Sequence, residues 1–135
     1  MTDLERALAG DKNLSGANLE YADLCYADLR DANLTGANLF GVGLYKAELN
    51  GANLTGARLN GAGPIGADLT GARLNGAVLY GAVLTGANLS CADLTGVDLR
   101  GANLTDVDLS GANLTDVKYD APTRWPVGFT PPASV

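Results

Sequence analysis

Leucine returns at every fifth position of this chain. It stands at 14, 19, 24, 29, 34, 39, 44, 49, 54 and 59, and again at each fifth residue from 69 to 114. Pro64 takes one of these central places and Tyr119 the last. Two residues before the centre comes Ala almost throughout, with Val42, Val97, Val107 and Val117 as larger variants, and two residues after it comes mostly Gly. The segment Gly51 to Asn60, two successive units, shows the frame, which runs from Lys12 to Ala121 as twenty-two fives. A period of five matches neither the 3.6 of a helix nor the 2.0 of a flat strand. It can be buried by a coil in which each five makes one side and turns a corner at its end. Leu and Ala then point inward and Gly permits the turn. Stacked coils let backbone amides pair at interstrand spacing, so like residues form ladders.

The ends follow other patterns. Thr2-Asp-Leu-Glu5 reads as a capping box. Leu4 and Leu8 then share a face at helical spacing, and Gly10 can close the helix. Residues 1–11 are therefore expected to form a short amphipathic helix whose leucines cover the first coil. After Ala121, Pro122, Pro126, Pro131 and Pro132 cannot extend a ladder. Trp125 and Phe129 supply the bulk that the shaft lacks, so 122–135 reads as a Pro/Trp-rich C-terminal cap. Within the shaft, Pro64 has no amide to donate and fills less space than Leu, which predicts a local defect.

Units such as Ala52-Asn-Leu-Thr-Gly56 and Ala92-Asp-Leu-Thr-Gly96 resemble the pentapeptide repeat family, A(D/N)LxG. The tail from Thr123 to Pro131 is similar to endings found in this family, particularly in cyanobacterial members. The resemblance implies an all-β solenoid, a right-handed quadrilateral β-helix with four fives per coil, and hence about five and a half coils. At about 4.8 Å per coil its shaft is roughly 26 Å long. Departures from the pattern are Gly43-Leu-Tyr45, Gly63-Pro-Ile65 and the corners Tyr21, Tyr26, Lys46 and Cys91.

Composition narrows the chemistry. The chain has 135 residues, no histidine and a net charge of −6. Without histidine there is no Ser/His/Asp or Cys/His arrangement, no buried acid is foreseen, and no enzyme activity, cofactor or metal site is expected. Cys25 and Cys91 give no metal spacing and lie in different coils, about 14 Å apart along the axis, too far for a disulfide. The negative charge argues against direct nucleic-acid binding. No apolar run is long enough for a membrane span. Cytoplasmic is the expected location, a processed leader being the alternative, and a monomer or weak dimer is the expected state.

Four fives per coil stack residues twenty apart. One side then shows Asn13, Asn33, Asn53 and Asn113 with Thr35, Thr55, Thr95 and Thr115, a polar set that can satisfy itself. Another shows Asp28, Glu48, Asp68, Asn88 and Asp108, an acidic strip that is either solvated or a docking strip for a basic partner or divalent cation. The two remaining sides bring Tyr21, Phe40, Tyr45, Ile65, Val78, Tyr80 and Val83 around one corner, beside a side-chain-free track at Gly43 and Gly63. Exposed apolar surface on a polar shaft points to a protein partner; packing between coils and self-association are the alternatives. Some proteins resembling this chain protect DNA gyrase from quinolones by mimicking DNA. Duplex DNA carries one charge per ~1.7 Å, so a shaft of this length would need about 15 negative charges. A stabilising or assembly role without a specific ligand is the third reading.

Overall fold

The computed structural model describes residues 1–133; Ser134 and Val135, at the end of the expected C-terminal cap, lie outside the described residues. Along most of the shaft the residue before a central Leu forms a parallel bridge with the residue twenty positions on, as in Asn13–Asn33–Asn53–Arg73–Asp93–Asn113. The rungs are well made: Leu14 donates to the Asn33 carbonyl at 2.8 Å, and Asn33 donates to Lys12 at 2.7 Å. One coil is thus four fives, and the shaft is four-sided. Its bore holds the Leu and Ala rows, with Leu34, Ala52, Leu54, Ala57 and Leu84 all at 0% exposure. Burying each such leucine is worth about 1.5–3 kcal/mol.

Every corner is a tight turn. The Ala17 amide donates to the Leu14 carbonyl at 3.0 Å, and Gly16 between them has a φ of +66°. Positive φ at the third residue is the type II arrangement, which favours glycine. Seven corners take it without glycine: Tyr21, Tyr26, Asp31, Lys46, Cys91, Asp106 and Asp116. Such a residue lies over the next coil's corner. A Cβ added at Gly41 would stand 2.6 Å from the Tyr21 ring, so the tyrosine needs the glycine beneath it.

The N-terminal helix α1 spans Asp3–Leu8 with the expected capping box, Glu5 donating to the Thr2 hydroxyl at 3.1 Å and the Thr2 amide to the Glu5 carboxylate at 3.1 Å. Gly10 closes it at φ +87°, its amide on the Ala7 carbonyl and that of Asp11 on Arg6. The buried face is not the one expected. Ala7 is buried and Leu4 packs on the core, but Leu8 is 60% exposed. The reason is that α1 docks chiefly by hydrogen bonds. Asp3 accepts the Asn18 amide at 2.8 Å, Asp11 accepts that of Asn13 at 2.9 Å, and Arg6 donates to the Asn13 carbonyl. These side chains stand in for the coil that would otherwise lie above.

At the other end the ladder continues one side past Ala121. Asn103 bridges Arg124, twenty-one residues on. Pro122 is accommodated by a turn in which Thr123 donates its hydroxyl to the Leu99 carbonyl at 2.8 Å, while Asp120 takes the Gly101 amide on its carboxylate at 2.9 Å. Trp125 packs edge-on to Tyr119 at 5.2 Å and stacks on Phe129 at 5.3 Å. All three rest on the core, and the Tyr119 hydroxyl donates to the Pro132 carbonyl.

The Pro64 defect is present and narrow. Its ring is buried in the bore, yet Gly63 and Val83 form no bridge. Above it the Leu44 amide reaches the Gly63 carbonyl at 3.2 Å, whereas Leu24 reaches Gly43 at 2.8 Å. The neighbouring bridges Gly43–Gly63 and Val83–Asn103 hold the register.

Candidate interaction surface

The third side of each coil carries Asp23, Gly43, Gly63 and Val83 before its central residue and Cys25, Tyr45, Ile65 and Thr85 after it. Aromatic pairs stand at both of its edges. At one, Tyr21 meets Phe40 edge to face at 5.5 Å; at the other, Tyr26 meets Tyr45 edge to face at 5.6 Å. The two pairs obey one rule: a corner residue lies against the residue nineteen positions later, which is also the amide-to-carbonyl step of the ladder. Tyr21 is 68% exposed and Tyr26 66%, while Phe40 is half-buried. Pairing between coils and exposure to solvent therefore coexist here. Lys46 places its ammonium 5.5 Å from the Tyr45 ring centre.

Of the residues expected at this corner, Tyr45, Ile65 and Val83 lie on the third side and are exposed. Tyr80 is exposed on the second side, with the Arg100 guanidinium 5.6 Å over its ring. Val78 is half-buried mid-side, in a column with Arg58 and Asp98, away from the third side's edge. Tyr26 was missed as part of this surface. The nineteen-residue spacing to Tyr45 was the signal that would have found it.

The acidic column Asp28–Glu48–Asp68–Asn88–Asp108 is assembled as expected. Its carboxylates, however, serve their own turns. Asp68 accepts the Thr70 amide at 3.0 Å and Asp108 that of Ser110 at 2.9 Å. Asp28 is clamped by Arg30 through two contacts of 2.8 Å, with Lys12 at 3.8 Å, and Arg30 also reaches Glu48 at 3.8 Å. The Arg30 guanidinium holds the Asp28 carboxyl well below the usual carboxylate range. Asp108 is lowered too, by its hydrogen bonds from Ser110. Glu48 is too long to close such a turn and makes none. The Asn and Thr rows satisfy themselves inside each five rather than along the column, as when Thr35 donates its amide and hydroxyl to Asn33 at 3.1 and 2.7 Å. Among the described residues no group of three or more His, Cys, Asp or Glu is placed to hold a metal ion, and no helix is long and apolar enough to cross a membrane.

The sequence matches the pattern described as pentapeptide repeats, in eight copies over residues 13–42, 41–61, 65–101 and 92–118. The chain belongs to the pentapeptide repeat family. Its fold is the right-handed quadrilateral β-helix. It is similar to the pentapeptide repeat protein Rfr23 of the cyanobacterium Cyanothece 51142, with 32% identity, 91% of this chain and 97% of that one covered, and a TM-score of 0.62. A second similar protein is HetL of Nostoc sp. PCC 7120, a pentapeptide repeat protein involved in heterocyst differentiation regulation. There the identity is 37%, coverage 82% of this chain and 57% of that one, and the TM-score 0.49. QnrB1, a plasmid-mediated fluoroquinolone resistance protein, matches at 21% identity over 82% of this chain and 67% of that one, with a TM-score of 0.49. No curated protein matches the sequence. Members of this family are in general structural or interaction modules.

Proposed function

We propose that this pentapeptide repeat protein is a non-enzymatic interaction module that binds a partner protein on its third side. The observation that carries the reading is the pair of exposed aromatic ridges, Tyr21–Phe40 and Tyr26–Tyr45, at the edges of a face whose middle bears no side chain at Gly43 and Gly63. Rigid aromatic anchors around a flat floor bury area at low entropic cost. The scaffold suits the task, since residues fixed by backbone ladders on both sides lose little freedom on binding.

Capture of partners from the native host by wild-type protein, beside a Tyr21→Asn/Tyr45→Ser variant, tests it. Asn tolerates the left-handed corner that Tyr21 occupies, and both rings are exposed, so the variant keeps its fold. Loss of a partner with the rings supports the reading; identical sets of captured proteins refute it. Mimicry of DNA toward gyrase is the weaker reading. The acids of the strip are tied to their own turns and to Arg30, and the net charge of −6 is well short of what a DNA-like rod carries. Unchanged supercoiling by gyrase in the presence of the protein is the expected result.

A further inference from the structure

Every glycine of the chain has a positive φ except Gly43 and Gly63. Neither is forced by crowding. A Cβ at Gly63 would meet nothing within 4 Å, and one at Gly43 would come no nearer than 3.6 Å, to the Cys25 sulfur, an ordinary contact. Both stand where most other fives carry Asn or Asp, whose side chains accept the amide two residues on, as Asn53 does from Thr55 at 3.1 Å. The fold would thus gain from Asn at 43 and 63. Their bareness is therefore not required by the coil.

Acids and tyrosines border the upper end of this bare floor, with Lys46 at the Tyr45 edge and Ile65 and Val83 further down. Glu20 and Asp23 flank the Tyr21 corner in the first coil, and neither has a cationic partner among the described residues. The Tyr21, Tyr26 and Tyr45 rings offer π faces, and Lys46 over Tyr45 shows that one already takes a cation. The Val83 carbonyl takes no backbone donor, because it faces Pro64, which has no amide.

We infer that the Gly43–Gly63 floor seats an extended, arginine-bearing segment of the partner, which rests on the interaction reading above. A guanidinium can stack on an exposed tyrosine while donating to a carboxylate, and the Tyr21 ring flanked by Glu20 and Asp23 offers both. From Asp23 to Val83 is three coils, about 14 Å, a length that an extended segment of roughly five residues spans. A second copy of this chain is a poorer occupant, because it brings the same charge of −6.

The test uses fluorescence anisotropy with a labelled octapeptide of alternating arginine and proline, beside its glutamate counterpart. Wild-type protein is expected to bind the arginine peptide at least about ten-fold tighter than the glutamate one, with the preference falling in salt. Gly43→Asn/Gly63→Asn is expected to melt no lower than wild type and to lose about ten-fold or more in affinity. Asp23→Asn is expected to weaken binding and flatten its salt dependence. Equal affinity of the double-Asn variant, or equal binding of both peptides, overturns the inference. So does self-association in sedimentation that the double-Asn change abolishes, which assigns the floor to a second copy. If the tyrosine variant loses a captured partner while the double-Asn variant keeps it, the interaction reading stands and this one fails.

Discussion

Replacing Pro64 with leucine should stabilise the shaft, and the size of the gain can be worked from the coil around it. The proline ring is buried in a row otherwise made of Leu, and it removes the bridge between Gly63 and Val83. Pro64→Leu returns an amide opposite the Val83 carbonyl, a net hydrogen-bond gain of about 1 kcal/mol. It also adds one buried carbon, worth about 0.8 kcal/mol. Against these stands the proline's restriction of the unfolded chain, whose loss costs about 0.4–1 kcal/mol. The balance is about +1 kcal/mol, or roughly 2–5 °C in melting temperature for a domain of this size. Calorimetry and guanidinium titration measure the total. Amide exchange shows where it arises, since the Leu44 amide, now at 3.2 Å from Gly63, should shorten its bond and exchange more slowly. A variant that melts at or below wild type, with unchanged denaturant slope, would refute the claim that the missing rung and the smaller ring are what weaken this coil.

Cys91→Gly removes a left-handed residue with φ +59° and should raise stability by about 1 kcal/mol in denaturant titration, whereas Gly56→Ala at φ +67° should lower it by about as much. Leu54→Ala empties a fully buried place and should cost about 3–5 kcal/mol, while Leu8→Ala, on the exposed face of α1, should change stability by less than about 0.5 kcal/mol. Thr2→Ala breaks the capping box and should cost about 1 kcal/mol, seen first as faster amide exchange at Asn18, which α1 protects through Asp3. Folding also holds Asp11, Asp23, Asp28, Asp93, Asp98 and Asp108 ionised to lower pH than in the unfolded chain, through hydrogen bonds from nearby amides and side chains. The unfolded chain therefore binds more protons once pH drops below about 4–5, so the melting temperature should be level from pH 7 to about 5 and fall below that. A melting temperature that rises on acidification contradicts this.

The five-residue period by itself determined which residues line the bore, where the corners fall and that Pro64 would be the weak rung. Those features are local: each five repeats one backbone path, so Leu54 and Leu84 meet the same surroundings. The capping box of α1 was legible for the same reason, because its partners are three residues apart. What joins one coil to the next was not. A twenty-residue stacking rule aligns columns, but it is the nineteen-residue step of the ladder that sets Tyr26 against Tyr45, a pairing of corner with side that column counting passes over. Helical spacing put Leu4 and Leu8 on one face without showing which part of that face the first coil would meet; the hydrogen bonds of Asp3, Arg6 and Asp11 decided it and left Leu8 in solvent. Likewise only the folded chain shows that Gly43 and Gly63 have free space. Their ordinary φ angle follows from their place in the five, but the room is a property of neighbours twenty residues away, and no five-residue unit contains it.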